Sequence, residues 1–151
     1  MSRPALLDVN VLVALFDPDH IHHDDAHEWF GENRQDGWAT CPLTELALAR
    51  ILANPVYSPA AERATAIVKR FRQFRSSGDH QFWRDSLDLT DDIFDYSFVK
   101  GQRQLTDVYL LGLAVKRNGR LATFDRTIPV RAVKGAERET LVVIGPILPG
   151  V

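Results

Sequence analysis

Four acidic residues of this 151-residue chain interrupt stretches that are otherwise apolar. Asp8 lies between Ala5-Leu6-Leu7 and Val9-Asn10-Val11-Leu12-Val13, and Glu45 sits inside Pro42-Leu43-Thr44-Glu45-Leu46-Ala47-Leu48-Ala49. Asp107 leads into Val108-Tyr109-Leu110-Leu111, and Asp125 closes Leu121-Ala122-Thr123-Phe124. An ionised carboxylate held against apolar packing loses hydration, at a cost of roughly several kcal/mol unless something compensates. Two of them about 4 Å apart repel by a further ~4 kcal/mol at an effective dielectric near 20. A divalent cation relieves both problems. Hard cations prefer oxygen ligands, keep several waters and need only one or two carboxylates. Four acids therefore suit two ions, or one ion plus a carboxylate that orients an attacking water. Phosphodiester hydrolysis requires both an activated water and positive charge at the scissile phosphate.

The elements that must position these acids follow from pattern and punctuation. Residues 4–9 read as a buried strand, and Val11–Phe16 as a helix stopped by Asp17-Pro18-Asp19. Asp24–Arg34 has helical spacing with acids in its first turn. Gly37–Cys41 fits a strand, and Pro42 opens a helix to about Ala53. Ser58-Pro59 starts another, carrying Ala64, Ile67, Val68, Phe71 and Phe74 at helical intervals to Ser76-Ser77-Gly78. A third strand is expected within Phe82–Leu89, and Thr90 caps a short helix from Asp91 to about Phe98. Thr106 is expected to cap a helix over Asp107–Lys116, which Asn118-Gly119 ends. Leu121–Phe124 and Leu141–Ile144 complete the strands. Gly145–Val151 is expected to be a loose tail.

Strands alternating with helices predict an α/β fold: a short central parallel sheet of four to five strands in a three-layer α/β/α arrangement, with residues 1–151 as one domain. In such sheets ligands gather beyond the carboxyl ends of the strands. Asp8 and Asp125 fall at strand ends, and Glu45 and Asp107 in first helical turns, so all four belong to one edge. Asn10 and Thr123 stand two residues from Asp8 and Asp125 and are candidates to support water or the carboxylates, as is Thr106.

Bulk properties exclude several classes. No apolar run approaches the ~20 residues that span a bilayer, and no secretory signal is visible, so a cytoplasmic protein without membrane association is expected. Cys41 is the single cysteine, which excludes an internal disulfide or thiolate cluster. The net charge of −2 is not that of a polycation coating nucleic acid. Basic residues are nevertheless concentrated at Arg63, Lys69, Arg70, Arg72 and Arg75, and again from Lys116 to Lys134. Arg50, His22, Lys69, Arg72 and Arg126 are candidate contacts to the phosphates of a substrate beside an acidic pocket.

Blander readings stand beside these. Asp107 and Glu45 also suit a first helical turn, Glu45 could pair with Arg50, and Asp125 could be a turn residue. His20, His22, His23 and His27 with nearby acids could bind zinc, but no third or fourth ligand is evident elsewhere; a polar loop or substrate-contacting rim is the expectation. Trp29, Trp38 and Trp83 read as core.

The stretches Leu7-Asp8-Val9-Asn10-Val11-Leu12, Pro42-Leu43-Thr44-Glu45, Leu105-Thr106-Asp107-Val108-Tyr109-Leu110 and Leu121-Ala122-Thr123-Phe124-Asp125 together resemble the PIN-domain ribonucleases, in particular the VapC-type toxins of bacterial toxin–antitoxin systems. The resemblance extends from Leu6 to about Ile144. It implies an endoribonuclease dependent on Mg²⁺ or Mn²⁺, with Asp8, Glu45, Asp107 and Asp125 as its metal-binding acids. It further implies a homodimer inhibited by a small antitoxin. Leu46 and Ala47 follow the glutamate where relatives often carry polar or small residues, and Gln102 stands where some have histidine. Two other classes remain: a PIN-like module that binds RNA or protein without cutting, and an acidic phosphotransferase, which Asn10 disfavours by standing where a second aspartate is needed.

Overall fold

The computed structural model describes residues 3–145. Its central strand, β1 (Ala5–Leu7), consists of three apolar residues, all buried, as expected for a parallel strand covered on both faces. It pairs with β2 (Trp38–Thr40) on one side and β4 (Arg120–Thr123) on the other, while β3 (His80–Phe82) and β5 (Leu141–Val143) form the edges. All pairings are parallel, in the order β3-β2-β1-β4-β5.

Strand alternation divides the core in two. Ala5, Leu7, Trp38 and Ala122 face α1 (Val9–Phe16), α2 (His23–Asn33), α3 (Pro42–Leu52) and α4 (Ala64–Arg75). Leu6, Ala39 and Leu121 face α5 (Gln104–Lys116) together with Trp83, Phe94, Ile128 and Val133. The result is the three-layer α/β/α architecture. From β1 the chain moves outward to β2 and β3, then crosses back to β4 on the other side of β1. Its crossover helices change face at that reversal, as right-handed connections require. The carboxyl ends of β1 and β4 flank the reversal, the usual ligand position in an open α/β sheet. At the opposite, amino-terminal edge of the same two strands, close approach depends on Gly119: an added Cβ would lie 2.7 Å from the Pro4 carbonyl and 2.5 Å from the Trp83 ring. That carbonyl already accepts the Arg120 N–H at 2.8 Å.

Two of the four clustered histidines, His23 and His27, serve in helix capping. The last carbonyls of a helix lack intrahelical donors. At the end of α1, Val13 O accepts from the Asp17 N–H at 2.9 Å, Ala14 O from His23 Nδ1 at 2.6 Å and Leu15 O from His27 Nε2 at 3.0 Å. Phe16 O accepts from the Arg70 guanidinium. His23 and His27 therefore bind α2 to α1.

Several expected boundaries are corrected. Helix α4 begins at Ala64 rather than Ser58, because local bonds (Val56 N–H to Asn54 Oδ1 at 2.9 Å, Ala60 N–H to Ser58 Oγ at 3.3 Å) hold the preceding chain in turns. β3 is His80–Phe82, and 83–88 has no regular structure. No α-helix forms over 91–98. Asp91 Oδ1 accepts from the Ile93 N–H and Asp95 Oδ1 from the Ser97 N–H, leaving one short 3-10 turn at Tyr96–Phe98. α5 starts at Gln104, so Thr106 is an exposed residue inside it rather than its cap. Trp38 and Trp83 are core as expected, and Trp29 is half-buried against it. The tail beyond Gly145 lies outside the described residues.

Candidate active site

Asp8 ends β1 and caps α1. Its backbone is extended, its Oδ1 accepts the Val9 N–H at 2.7 Å, and its own N–H reaches Ala122 O at 2.9 Å. Aspartate suits both the cap and the positive end of the helix dipole, so this acid has a structural purpose as well as a chemical one. It is only 5% exposed. Thr123, fully buried at the end of β4, donates its hydroxyl to Asp8 Oδ2 at 2.7 Å and accepts the Asp125 N–H at 3.1 Å. One hydroxyl thus joins the ends of two neighbouring strands. Asp125 in turn accepts at Oδ1 from the Thr127 N–H at 2.7 Å and hydroxyl at 2.6 Å, which shapes the turn leaving β4.

Asp107 occupies the first turn of α5. Burial, then the charges of Asp8 and Asp125, push its carboxyl up to about 7. Asp8 is also raised: burial outweighs the lowering effect of the Thr123 and Val9 bonds, and Asp125 adds repulsion. Asp8, Asp107 and Asp125, remote in sequence, therefore share one electrostatic environment.

Glu45 takes different partners. It lies in the first turn of α3, half-buried, where Oε2 accepts the Thr40 hydroxyl at 2.6 Å and meets Arg75 Nη1 at 3.7 Å. The sequence suggested Arg50 as its partner; Arg50 is exposed, and the ion pair is made across the fold by α4. Thr40 and His80 were not singled out in the sequence, and Arg75 stands there only as one of a run of basic residues. Thr40 left a faint signal, a hydroxyl in an otherwise apolar strand five residues before Glu45. Arg75 and His80 left none, because the role of one depends on α4 packing beside α3 and that of the other on β3 pairing with β2.

Of the other expected contributors, Asn10 is exposed in the first turn of α1, and Thr106 is exposed on α5. His22 stacks on Phe124, the neighbour of Asp125, with ring centroids 4.6 Å apart, and His20 stacks on the same ring at 6.3 Å. Lys69 and Arg72 are exposed on α4, and Arg126 is exposed and donates to Gly145 O at 3.3 Å. Arg72 lines a groove of about 760 Å³ between α3 and α4, with Leu48, Ile67, Val68 and Phe71, and Glu45 stands in the same wall.

The three aspartates supply oxygen ligands only, the set a hard dication prefers. Among the described residues no group of three or more His, Cys, Asp or Glu is gathered tightly enough to hold an ion. An ion held by one or two carboxylates and completed by water needs no such cage, and its charge would answer the repulsion that raises Asp107. The donor chemistry fits a divalent cation and gives no support to zinc at the histidines.

A raised carboxyl makes stability depend on pH. With Asp107 at about 7 in the fold against an ordinary 3.8, the folded chain holds a proton that the unfolded chain releases, so this group's contribution falls as pH rises through that window. His80, lowered to about 4 by burial and then Arg75, acts in the opposite sense between there and 6.5. A comparison with Asp107→Asn isolates the first effect. In metal-free protein, the melting temperature of Asp107→Asn should gain on the wild type from pH 4 to 7 and gain no more above. A constant difference would contradict the assigned environment.

Residues 5–134 match the PIN domain family. With the parallel three-layer fold and the acids at its switch point, this defines the class: the chain belongs to the PIN-domain family. Its similarity reaches the VapC ribonucleases of Mycobacterium tuberculosis. It is 46% identical over 121 residues to Ribonuclease VapC38 of strain H37Rv, covering 80% of this chain and 84% of that protein. It is 39% identical over 138 residues to Ribonuclease VapC44, covering 91% and 96%, and 37% identical over 132 residues to Ribonuclease VapC39, covering 87% and 95%. Among the described residues no helix is long and apolar enough to cross a membrane.

Proposed function

We propose that this protein is an endoribonuclease that hydrolyses RNA phosphodiester bonds with Mg²⁺ or Mn²⁺, and that it is the toxin of a toxin–antitoxin pair. The observation that carries the reading is the mutual repulsion of Asp8, Asp107 and Asp125 at the switch point of a PIN fold. Asp8, Asp107, Asp125 and Glu45 are the residues that would hold the ion and orient the attacking water. When bound, the ion supplies positive charge at the scissile phosphate and makes a water more acidic. Thr123 keeps the Asp8 carboxylate in place. Water attacks phosphorus and gives up a proton as the bond to the 3′-oxygen breaks, and that oxygen takes up a proton in exchange, leaving 5′-phosphate and 3′-hydroxyl ends. Lys69, Arg72 and Arg126 offer positive charge to neighbouring phosphates, and His22 on Phe124 forms a rim beside Asp125. In this reading the protein works in the cytoplasm as a homodimer, and a small antitoxin restrains it by entering the groove that leads to the acids.

The test uses protein purified away from any antitoxin. Single-stranded RNA should be cut with either ion, EDTA should stop the reaction, and the fragments should carry 5′-phosphates. Intact RNA with both ions overturns the proposal. RNA bound but uncut, with affinity indifferent to EDTA, would instead identify a binding module.

A further inference from the structure

Glu45 is held by a chain of donors that starts on the edge strand of the sheet. Thr40 closes β2 and is fully buried, the polar member of a Trp-Ala-Thr strand. Its hydroxyl has a single proton. Glu45 Oε2, 2.6 Å away, belongs to a carboxylate and accepts it. His80 Nε2, 2.7 Å from the same hydroxyl, must then be the donor on the other side. Protons are thereby ordered along one path, from His80 Nε2–H to Thr40 Oγ1, and from Thr40 Oγ1–H to Glu45 Oε2.

The fold fixes each link. His80 is paired with Trp38 in the β2–β3 register, and Trp38 and Thr40 share a sheet face by strand alternation. His80 therefore stands beside Thr40, and its ring packs edge-on against Trp38, with centroids 4.5 Å apart. Arg75 also approaches Oε2, at 3.7 Å, and its guanidinium lies over the rings of Phe71 and Phe82 at 5.8 and 5.7 Å. Both contacts select the same carboxylate oxygen. Oε1 is the oxygen that neither takes, and a carboxylate anchored at one oxygen cannot rotate without giving up a charge-assisted bond. Residues that hold a ligand's orientation in this way commonly alter metal affinity or activity by about 10–100-fold.

We propose that Thr40 and His80 are positioning residues for Glu45, holding its carboxylate so that one oxygen stays available to the ion. This deepens the nuclease reading and rests on it.

The experiment measures Mn²⁺ affinity of the RNA-free protein by calorimetry, and kcat and KM for RNA cleavage alongside. Thr40→Val removes the hydroxyl at nearly constant shape. It should weaken Mn²⁺ binding and lower kcat by about tenfold or more, with KM for RNA little changed. Thr40→Ser should restore both. Glu45→Gln should show a similar loss, and the Thr40→Val/Glu45→Gln double variant should be no worse than Glu45→Gln, because the hydroxyl acts through that carboxylate. If Thr40→Val fails to fold, His80→Phe, which keeps the ring and loses the donor, takes its place, with His80→Gln as the donor-retaining rescue. Wild-type Mn²⁺ affinity and kcat in the folded donor-less variant overturn the proposal, as does full additivity with Glu45→Gln. Wild-type protein that never cuts RNA overturns the nuclease reading instead, and the calorimetric coupling still decides whether Thr40 acts through Glu45.

Discussion

Asp8→Asn should cripple RNA cleavage while leaving the fold intact. The substitution keeps the shape of the side chain and an oxygen that can accept the Val9 N–H, and asparagine caps helices as well as aspartate does. It removes the charge. A ligand that helps bring positive charge to the scissile phosphate contributes roughly 3–4 kcal/mol to the transition state, and each ~1.4 kcal/mol is tenfold in rate. The expected fall in kcat is thus about 10²–10³-fold, measured in single-turnover cleavage of a labelled RNA. Thr123 loses a charged acceptor, but relief of repulsion in the cluster offsets that loss, so the melting temperature should change little. A second readout is independent of catalysis. Asp8 is one of the charges that raise Asp107, so in Asp8→Asn the Asp107 carboxyl should titrate below the wild type's value of about 7. It should stay above the ordinary range, because burial is the larger cause. Wild-type cleavage by a folded Asp8→Asn would end the metal-site reading.

The parts of this site that were legible in the sequence are those made by a single element and its immediate neighbours. β1 is a buried apolar run, so an acid at its end stood out, and the same holds for Asp125 after β4. Topology then predicts convergence, since strand ends and the helix starts that follow them share one edge of a parallel sheet. The parts that escaped depend on weak or tertiary signals. β3 is a short edge strand, His-Gln-Phe, with no buried residue, and the more apolar stretch just after it drew the assignment instead. With β3 misplaced, His80 could not be set against Thr40, nor could the Thr40 contact to Glu45 acquire its second donor. Arg75 sits on a basic helix where nothing local distinguishes it from Arg72, yet one pairs with Glu45 and the other is exposed. The stretch Asp88–Asp95 reads as a helix start capped by Thr90, but aspartates favour turns as well as helix starts. Here their side chains bond to backbone two residues ahead and hold the turn.

Helix ends also help this edge of the sheet to tolerate so many acids. Asp8 caps α1, Glu45 lies in the first turn of α3 and Asp107 in the first turn of α5. Each faces the positive end of a helix dipole, a contribution of about 0.3–1 kcal/mol per acid at exposed sites. Arg75 adds a counter-charge at Glu45, whereas no ion pair among the described residues involves Asp107, whose carboxyl is raised by burial and by its acidic neighbours. The aspartate pole of the site is therefore the part most in need of a cation, and the Glu45 pole is already largely compensated.

Thr123→Val should weaken cleavage through the ionisation of Asp8 rather than through any contact with RNA. The hydroxyl is fully buried and has one proton and two acceptor positions. It uses the proton on Asp8 Oδ2 and one acceptor position on the Asp125 N–H. Valine matches the volume and does neither, leaving a carboxylate oxygen and an amide without their partner, a loss of roughly 1–3 kcal/mol of stability. The chemical consequence follows from the direction of the Thr123 contribution. That bond lowers the Asp8 carboxyl against the burial that raises it. Without it, Asp8 binds its proton more tightly, and a metal ion must compete with that proton for the same oxygens. Near pH 7, kcat/KM should fall by about 10–100-fold. The acidic limb of the pH–rate profile should move to higher pH, and part of the loss should be recovered as the pH is raised. Thr123→Ser retains the hydroxyl and should return the profile to that of the wild type. If Thr123→Val folds and its acidic limb is unmoved, the hydroxyl holds the two strand ends together without influencing the charge state of Asp8.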